Sequence, residues 1–105
     1  MMVERQVDPA VDDEADRIVN PRPASKHFSS LAQRAAEHDR LYSEGVHAAY
    51  SGHIKHATES FVAAYALLFR RSTLLSLVNM HLKKGNAELA VACYRKMMNS
   101  DFITP

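Results

Sequence analysis

Apolar residues recur along most of the chain at intervals of three, four or seven, the spacing that places side chains on one face of an α-helix. The first such stripe begins at Phe28 and continues through Tyr42 and Ala49. Three more stripes occupy residues 54–68, 74–82 and 89–97. This pattern predicts an all-α fold. The first stripe fits either one long helix or a short helix that leads into a second one.

Glycine and cations separate the later stripes. Gly52 and Gly85 each follow a stripe, and glycine adopts the left-handed conformation that ends helices. Paired cations, which favour the negative end of a helix, stand at residues 70–71 and 83–84. Ser30 with Gln33 forms a candidate capping box for the first helix. Ser72 or Thr73 is a candidate cap for the third and Asn86 for the fourth.

The two halves of this helical region match at a fixed offset. Gly85, Ala90 and Tyr94 each lie 33 residues after a residue of the same kind. The earlier partners are Gly52, Ala57 and Phe61. A constant offset in this range is typical of helical repeat proteins. The sequence therefore predicts two stacked helical hairpins with the same internal packing.

Residues 1–26 differ in composition from the rest. Six acidic residues fall within the first twenty, prolines occur at positions 9, 21 and 23, and large apolar residues are few. Such a segment buries too little to offset its ordering entropy, so we predict a disordered acidic tail before a helical domain at residues 27–105. An alternative is a short helix on a partner, carrying Val11, Ile18 and Val19.

Length and composition fit a single ordinary domain. The chain has 105 residues, of which 47% are hydrophobic and 24% charged, with a formal net charge of +1. The single cysteine, Cys93, cannot form an internal disulfide. Neither a secretory signal nor a run of about 20 apolar residues is present, which favours a cytoplasmic location.

Together these residues resemble the tetratricopeptide repeat family over roughly residues 38–99. The resemblance rests on Gly45 and Ala64 in addition to the three matched pairs. It implies two antiparallel hairpins in which Ala57 and Ala90 are close contacts and Phe61 and Tyr94 fill the space beside them. It also implies a concave groove for a protein partner. The family's groove positions correspond to Tyr42, Val46, Tyr50, Leu75, Asn79, Leu82 and Lys83.

The resemblance favours a non-enzymatic interaction module, a small scaffold or adaptor that binds a peptide or helix. A secretion chaperone built from the same repeat is the first alternative, because residues 41–52 are similar to such proteins. An RNA-binding helical repeat is the second, because basic residues accompany Tyr94. Phosphate-binding and nucleophile motifs are absent, so no catalytic residue, small-molecule substrate or cofactor is expected.

Six histidines raise the question of a metal site, with His53 and His56 three residues apart. Structural zinc sites close four ligands, often with thiolates, so no metal is expected here. Two repeats are also few for a stable array, which needs covered ends. We predict that the helix from Phe28 caps one end. The other end would pack on a second copy or a partner through Tyr94, Met97, Met98, Phe102 and Ile103.

Overall fold

The computed structural model describes residues 8–99, which contain five α-helices and no β-strand. The all-helical prediction is confirmed. Residues 1–7 and 100–105, including Phe102 and Ile103, lie outside the described part. The helices are α1 (Pro9–Val19), α2 (Leu31–Tyr50), α3 (Ile54–Leu67), α4 (Arg71–Lys83) and α5 (Ala87–Asn99). Helix α2 packs on α3, α3 on α4, and α4 on α5, while α1 packs on α5.

The turns between α2 and α3 and between α4 and α5 have the same geometry. Gly52 and Gly85 both adopt positive φ, at 82° and 91°. The Gly52 N–H donates to the Ala49 carbonyl at 3.1 Å, and the Gly85 N–H donates to the Leu82 carbonyl at 3.0 Å. In each turn the next N–H donates to the carbonyl five residues earlier, at 2.9 and 3.0 Å. The offset seen in the sequence therefore holds at both turns.

Small residues allow close helix packing inside each hairpin. Ala57 and Ala90 are completely buried, and Phe61 is 2% exposed. The Phe61 ring packs against Gly45 on α2, where an added Cβ would lie 2.7 Å from Cε1 of the ring. Because a glycine stands at this crossing, the aromatic ring fills the space between α2 and α3.

The second hairpin departs from this arrangement at Tyr94, which occupies the position equivalent to Phe61. Val78 stands where the first hairpin has Gly45, and Val78 is completely buried. Tyr94 is only half-buried, and its hydroxyl donates to Oδ1 of Asn79. The valine side chain occupies the space that glycine leaves to Phe61. Phe61 is thus a fully buried ring between its helices, whereas Tyr94 is a partly buried ring packed against the core.

Helix α1 lies within the segment predicted as a disordered tail, and that prediction is wrong for residues 9–19. Asp8 caps the helix by accepting from the Ala10 N–H at 2.9 Å. Ala15 and Val19 are 0% and 2% exposed. Lys96 of α5 pairs with Asp12 at 3.1 Å. The few apolar residues of this segment share one helix face, and α5 supplies the surface that buries them.

The segment between α1 and α2 runs across the end of α3. The Ala24 N–H donates to the Ala66 carbonyl at 2.9 Å, and the Arg34 guanidinium donates to the Leu67 carbonyl at 3.1 Å. Phe28 lies in this segment, under the Arg34 guanidinium at 5.1 Å from the ring centroid. Helix α2 therefore begins at Leu31, three residues later than its apolar stripe.

Two of the predicted caps can be compared with the structure. Ser30 caps α2, with Oγ accepting from the Gln33 N–H at 3.1 Å. Helix α4 instead begins after Arg70, and no side chain caps it. Helix α2 is continuous, so the helix that follows Phe28 is part of the first hairpin. The helix that packs outside the two hairpins is α1, on α5.

Candidate functional site

Helices α2 and α4 lie side by side, and two polar contacts join their side chains. Nε2 of His38 and Oγ1 of Thr73 are 2.7 Å apart, and the Tyr42 hydroxyl lies 3.0 Å from Oγ of Ser76. The His38 ring also stacks on Tyr42. These contacts hold α2 and α4 at a fixed spacing.

The contact through His38 continues outward to Asp39, whose Oδ1 lies 2.9 Å from Nδ1 of the same imidazole. A carboxylate, an imidazole and a hydroxyl that are hydrogen-bonded in this order also form the catalytic triads that activate a nucleophile. Thr73, however, is completely buried and His38 is 2% exposed, so a substrate has no access to the hydroxyl. The arrangement connects helices. The hydrogen bond from His38, and then Arg70, hold the pKa of Asp39 below its ordinary value.

Beyond these contacts the space between α2 and α4 opens into a cavity of about 240 Å³. We refer to this cavity as the notch. It is smaller than the roughly 300 to 1,000 Å³ of typical small-molecule pockets, and its size suits one or two side chains of a peptide. Its lining residues combine an apolar floor with polar groups on α4: Val46, Ala49, Tyr50, Phe61, Ser76, Asn79, Met80 and Lys83.

The polar wall of the notch is held in place from behind. The Tyr94 hydroxyl donates to Oδ1 of Asn79, so the amide NH₂ group of Asn79 is left to donate elsewhere. Lys83 lies one helical turn further along α4 and is exposed. Tyr50, across the notch on α2, is 89% exposed. The wall thus presents an oriented amide and a cation opposite an aromatic ring.

The structure brings together four of the seven groove residues expected from the sequence. Val46, Tyr50, Asn79 and Lys83 line the notch, and Tyr42 lies beside it through Ser76. The expected placement of Leu75 and Leu82 in the groove is not seen. Both are on α4 but outside the lining, at 39% and 46% exposed.

Four residues that line the notch are not among the groove positions expected from the sequence: Ala49, Phe61, Ser76 and Met80. Ser76 and Met80 lie on the same face of α4 as Asn79 and Lys83, and this four-residue spacing is the signal that could have found them.

The outer face of α2, away from α4, is a network of charged side chains. Arg40 bridges Glu37 and Glu44, with donor to acceptor distances of 2.7 Å and 3.2 Å. Nε2 of His56 on α3 lies 3.1 Å from Glu44. The hydrogen bond from Arg40 is the main reason that the pKa of Glu37 is lowered to about 2. This side of the first hairpin therefore carries exposed ion pairs.

Cys93 and His81 lie away from the notch. Cys93 is completely buried, and burial raises the pKa of its thiol to about 11. His81 is half-buried, and its Nδ1 atom is buried with no hydrogen-bond partner in the described residues. Burial lowers the pKa of His81, and the nearby Lys84 charge lowers it further.

In the part of the chain that the structure describes, no group of three or more histidine, cysteine, aspartate or glutamate side chains could hold a metal ion. None of the helices from α1 to α5 has the length and apolar character needed to cross a membrane. Comparison with known protein families, with curated proteins and with solved structures finds no match to this chain. The site is therefore interpreted from its own geometry.

Proposed function

We propose that this chain is a non-enzymatic interaction module whose two hairpins are arranged as in tetratricopeptide repeats, and that the notch binds a short peptide segment of a protein partner. The observation that carries this proposal is the composition of the notch. An apolar floor can take an apolar side chain, while the Asn79 amide and the Lys83 ammonium can bind peptide carbonyls or a carboxylate.

The repeat arrangement is supported by the equal turns at Gly52 and Gly85 and by the buried alanines at equivalent positions. In such an arrangement α2 and α4 are the first helices of successive hairpins and form the concave surface. The notch lies between these two helices, which agrees with the groove that the resemblance implies.

A protein ligand is favoured over RNA by the pairing of the basic residues. Arg70 is paired with Asp39 at 2.9 Å, and Lys96 with Asp12 at 3.1 Å. Their charges are thus partly neutralised within the chain. Tyr94, the aromatic residue expected to stack on a base, is half-buried with its hydroxyl bound to Asn79.

A displayed library of random peptides tests the proposal. Clones are selected on the wild-type protein and then measured against Tyr50→Ala/Lys83→Ala, which changes two exposed residues of the notch. The matched control is Leu31→Ala/Lys55→Ala, an apolar residue and a lysine that are exposed elsewhere. We expect the selected peptides to lose at least about tenfold in affinity with the notch variant, a loss of roughly 1.4 kcal/mol, and to bind the control as they bind the wild type.

Two results would refute the notch as the binding site. One is a set of selected peptides that bind the notch variant and the wild type equally well. The other is a selection that enriches no peptide above the background of an unrelated helical protein. Binding that disappears steeply between low and moderate salt for single-stranded RNA but not for peptides would instead support the nucleic-acid alternative.

A further inference from the structure

The two hairpins bury equivalent positions to very different extents. On the first hairpin, Thr58 and Tyr65 are 7% and 1% exposed. The residues 33 positions later, Val91 and Met98, are 46% and 76% exposed. Tyr42 and Ala49 of α2 are half-buried, whereas their counterparts on α4, Leu75 and Leu82, are exposed.

Part of the difference arises because α4 packs on the first hairpin and none of the described helices packs on the second in the same way. Tyr65 is also covered by the end of α1, since its hydroxyl donates to the Val19 carbonyl at 2.7 Å. Tyr42 reaches Ser76 of α4, and Ala49 lines the notch together with α4 residues. Helix α1 packs on another side of α5, where it pairs with Lys96 and where Leu89 and Ala92 are buried. We call the uncovered surface the end face, formed by Arg71, Leu75, Leu82, Val91 and Met98.

We propose that the end face binds an amphipathic, acidic helix of a partner protein, seated on the second hairpin as α4 is seated on the first. The apolar part of the seat consists of four large side chains on two adjacent helices. Residues 71, 75 and 82 share one stripe of α4, and residues 91 and 98 share one stripe of α5. A helix with apolar residues at every third and fourth position matches such a surface.

The basic residues of α4 and α5 favour acidic residues on the helix that binds the end face. Helices α4 and α5 carry four basic residues, at positions 71, 83, 95 and 96, and one acidic residue, Glu88. Arg71 lies on the stripe itself, at the position equivalent to His38, and forms no ion pair with the described residues. Helix α1 shows the same preference within the chain, since it is rich in aspartate and pairs with Lys96 through Asp12.

A second copy of the chain fits the end face less well. Face-to-face packing would bring two basic surfaces together, each with an Arg71 that pairs with no acidic residue of the described part, and like charges across an interface are unfavourable. Head-to-tail packing would place the outer face of α2 on the end face. That surface carries the charged network of Glu37, Arg40, Glu44 and His56. Charged side chains would then face the apolar residues of the end face.

The end face is separate from the notch, so the two proposals can fail independently. The probes are two synthetic helical peptides with leucine at every third and fourth position, one with glutamate and one with lysine at the flanking positions. Each carries a fluorophore, and binding is measured by anisotropy. The test variants are Leu75→Ser/Leu82→Ser and Arg71→Glu, and the matched control is Leu31→Ser/Val62→Ser, two other exposed apolar residues.

We expect the acidic peptide to bind the wild type and the control, and the lysine peptide to bind at least about tenfold more weakly. Both test variants should weaken binding of the acidic peptide by at least about tenfold, with Arg71→Glu reversing the preference between the peptides. Circular dichroism checks that each variant remains helical.

Three results would overturn the proposal. The first is equal binding of the two peptides, or no binding of either. The second is a loss of binding with Tyr50→Ala/Lys83→Ala but not with the end-face variants, which would assign the peptide to the notch. The third is a wild-type dimer in analytical ultracentrifugation that Leu75→Ser/Leu82→Ser converts to a monomer, because the occupant would then be a second copy.

Discussion

Gly45→Ala should destabilise the protein although alanine is the better helix former. Gly45 is buried in the middle of α2, facing the Phe61 ring of α3. A Cβ at this position would lie 2.7, 2.8 and 3.0 Å from three carbons of that ring. Carbon atoms pack best at about 3.5 to 4.0 Å, so the ring or the helix would have to move by several tenths of an ångström.

The surroundings of Phe61 limit such a movement. The ring is 2% exposed and packs at a tilt against Tyr42, with centroids 5.4 Å apart. Overpacking of this kind costs about 1 to 3 kcal/mol. Replacement of a helical glycine by alanine recovers up to about 1 kcal/mol of helix propensity. We therefore expect the free energy of unfolding to fall by up to roughly 2 kcal/mol.

Urea unfolding followed by far-ultraviolet circular dichroism measures the change, provided that the dependence on urea is the same in both proteins. A double-mutant cycle with Phe61→Leu isolates the contact. In the Phe61→Leu background the ring is absent, so Gly45→Ala should be neutral or stabilising by up to about 1 kcal/mol. If Gly45→Ala raises the urea midpoint with Phe61 present, or has equal effects in both backgrounds, the close contact is not what requires glycine.

Three further predictions concern the core. Ala57→Leu and Ala90→Leu should each lower the free energy of unfolding by about 1 to 3 kcal/mol, because both alanines are completely buried at helix crossings; unchanged melting temperatures would refute this. His81 has a lowered pKa through burial, so the unfolded state binds its proton first and stability should fall as the pH drops through about 6.5. This fall should be shallower in His81→Gln but not in His47→Gln, an exposed control, and equal pH profiles would contradict it. The Cys93 thiol, with its pKa raised from 9.0 to about 11, should react with a thiol reagent at neutral pH about 100-fold more slowly in the native protein than in urea. Comparable rates would show that Cys93 is accessible.

The sequence was sufficient for features that depend on local chemistry. Glycine at positions 52 and 85 requires no partner to adopt positive φ, and Lys83 lies in the last turn of its own helix. The cations at 70–71 instead stand at the start of α4. The Ser30 cap likewise involves residues within one turn. Periodicity identified α2 to α5, with boundaries shifted by a few residues.

The sequence was less informative wherever a residue's role depends on what lies opposite. Phe61 and Tyr94 are equivalent by position, yet only Phe61 faces a glycine, so only that ring is fully buried. Leu75 and Leu82 were assigned to the groove because the sequence shows the apolar residues of α4 but not which of them face α2. Its orientation toward α2 places Ser76 and Met80 in the notch instead.

Helix α1 shows the same limit most directly. Its few apolar residues and three nearby prolines resemble a mobile segment when considered alone. The apolar side of α5, which lies more than 60 residues later in the chain, and Tyr65 of α3, which donates to the Val19 carbonyl, make burial of Ala15 and Val19 possible. The sequence by itself therefore determined helices α2 to α5 and the turns at Gly52 and Gly85, because these depend on neighbours along the chain. The tertiary structure decided which faces are covered, which form the notch and which remain open, because burial depends on surfaces that are distant in sequence.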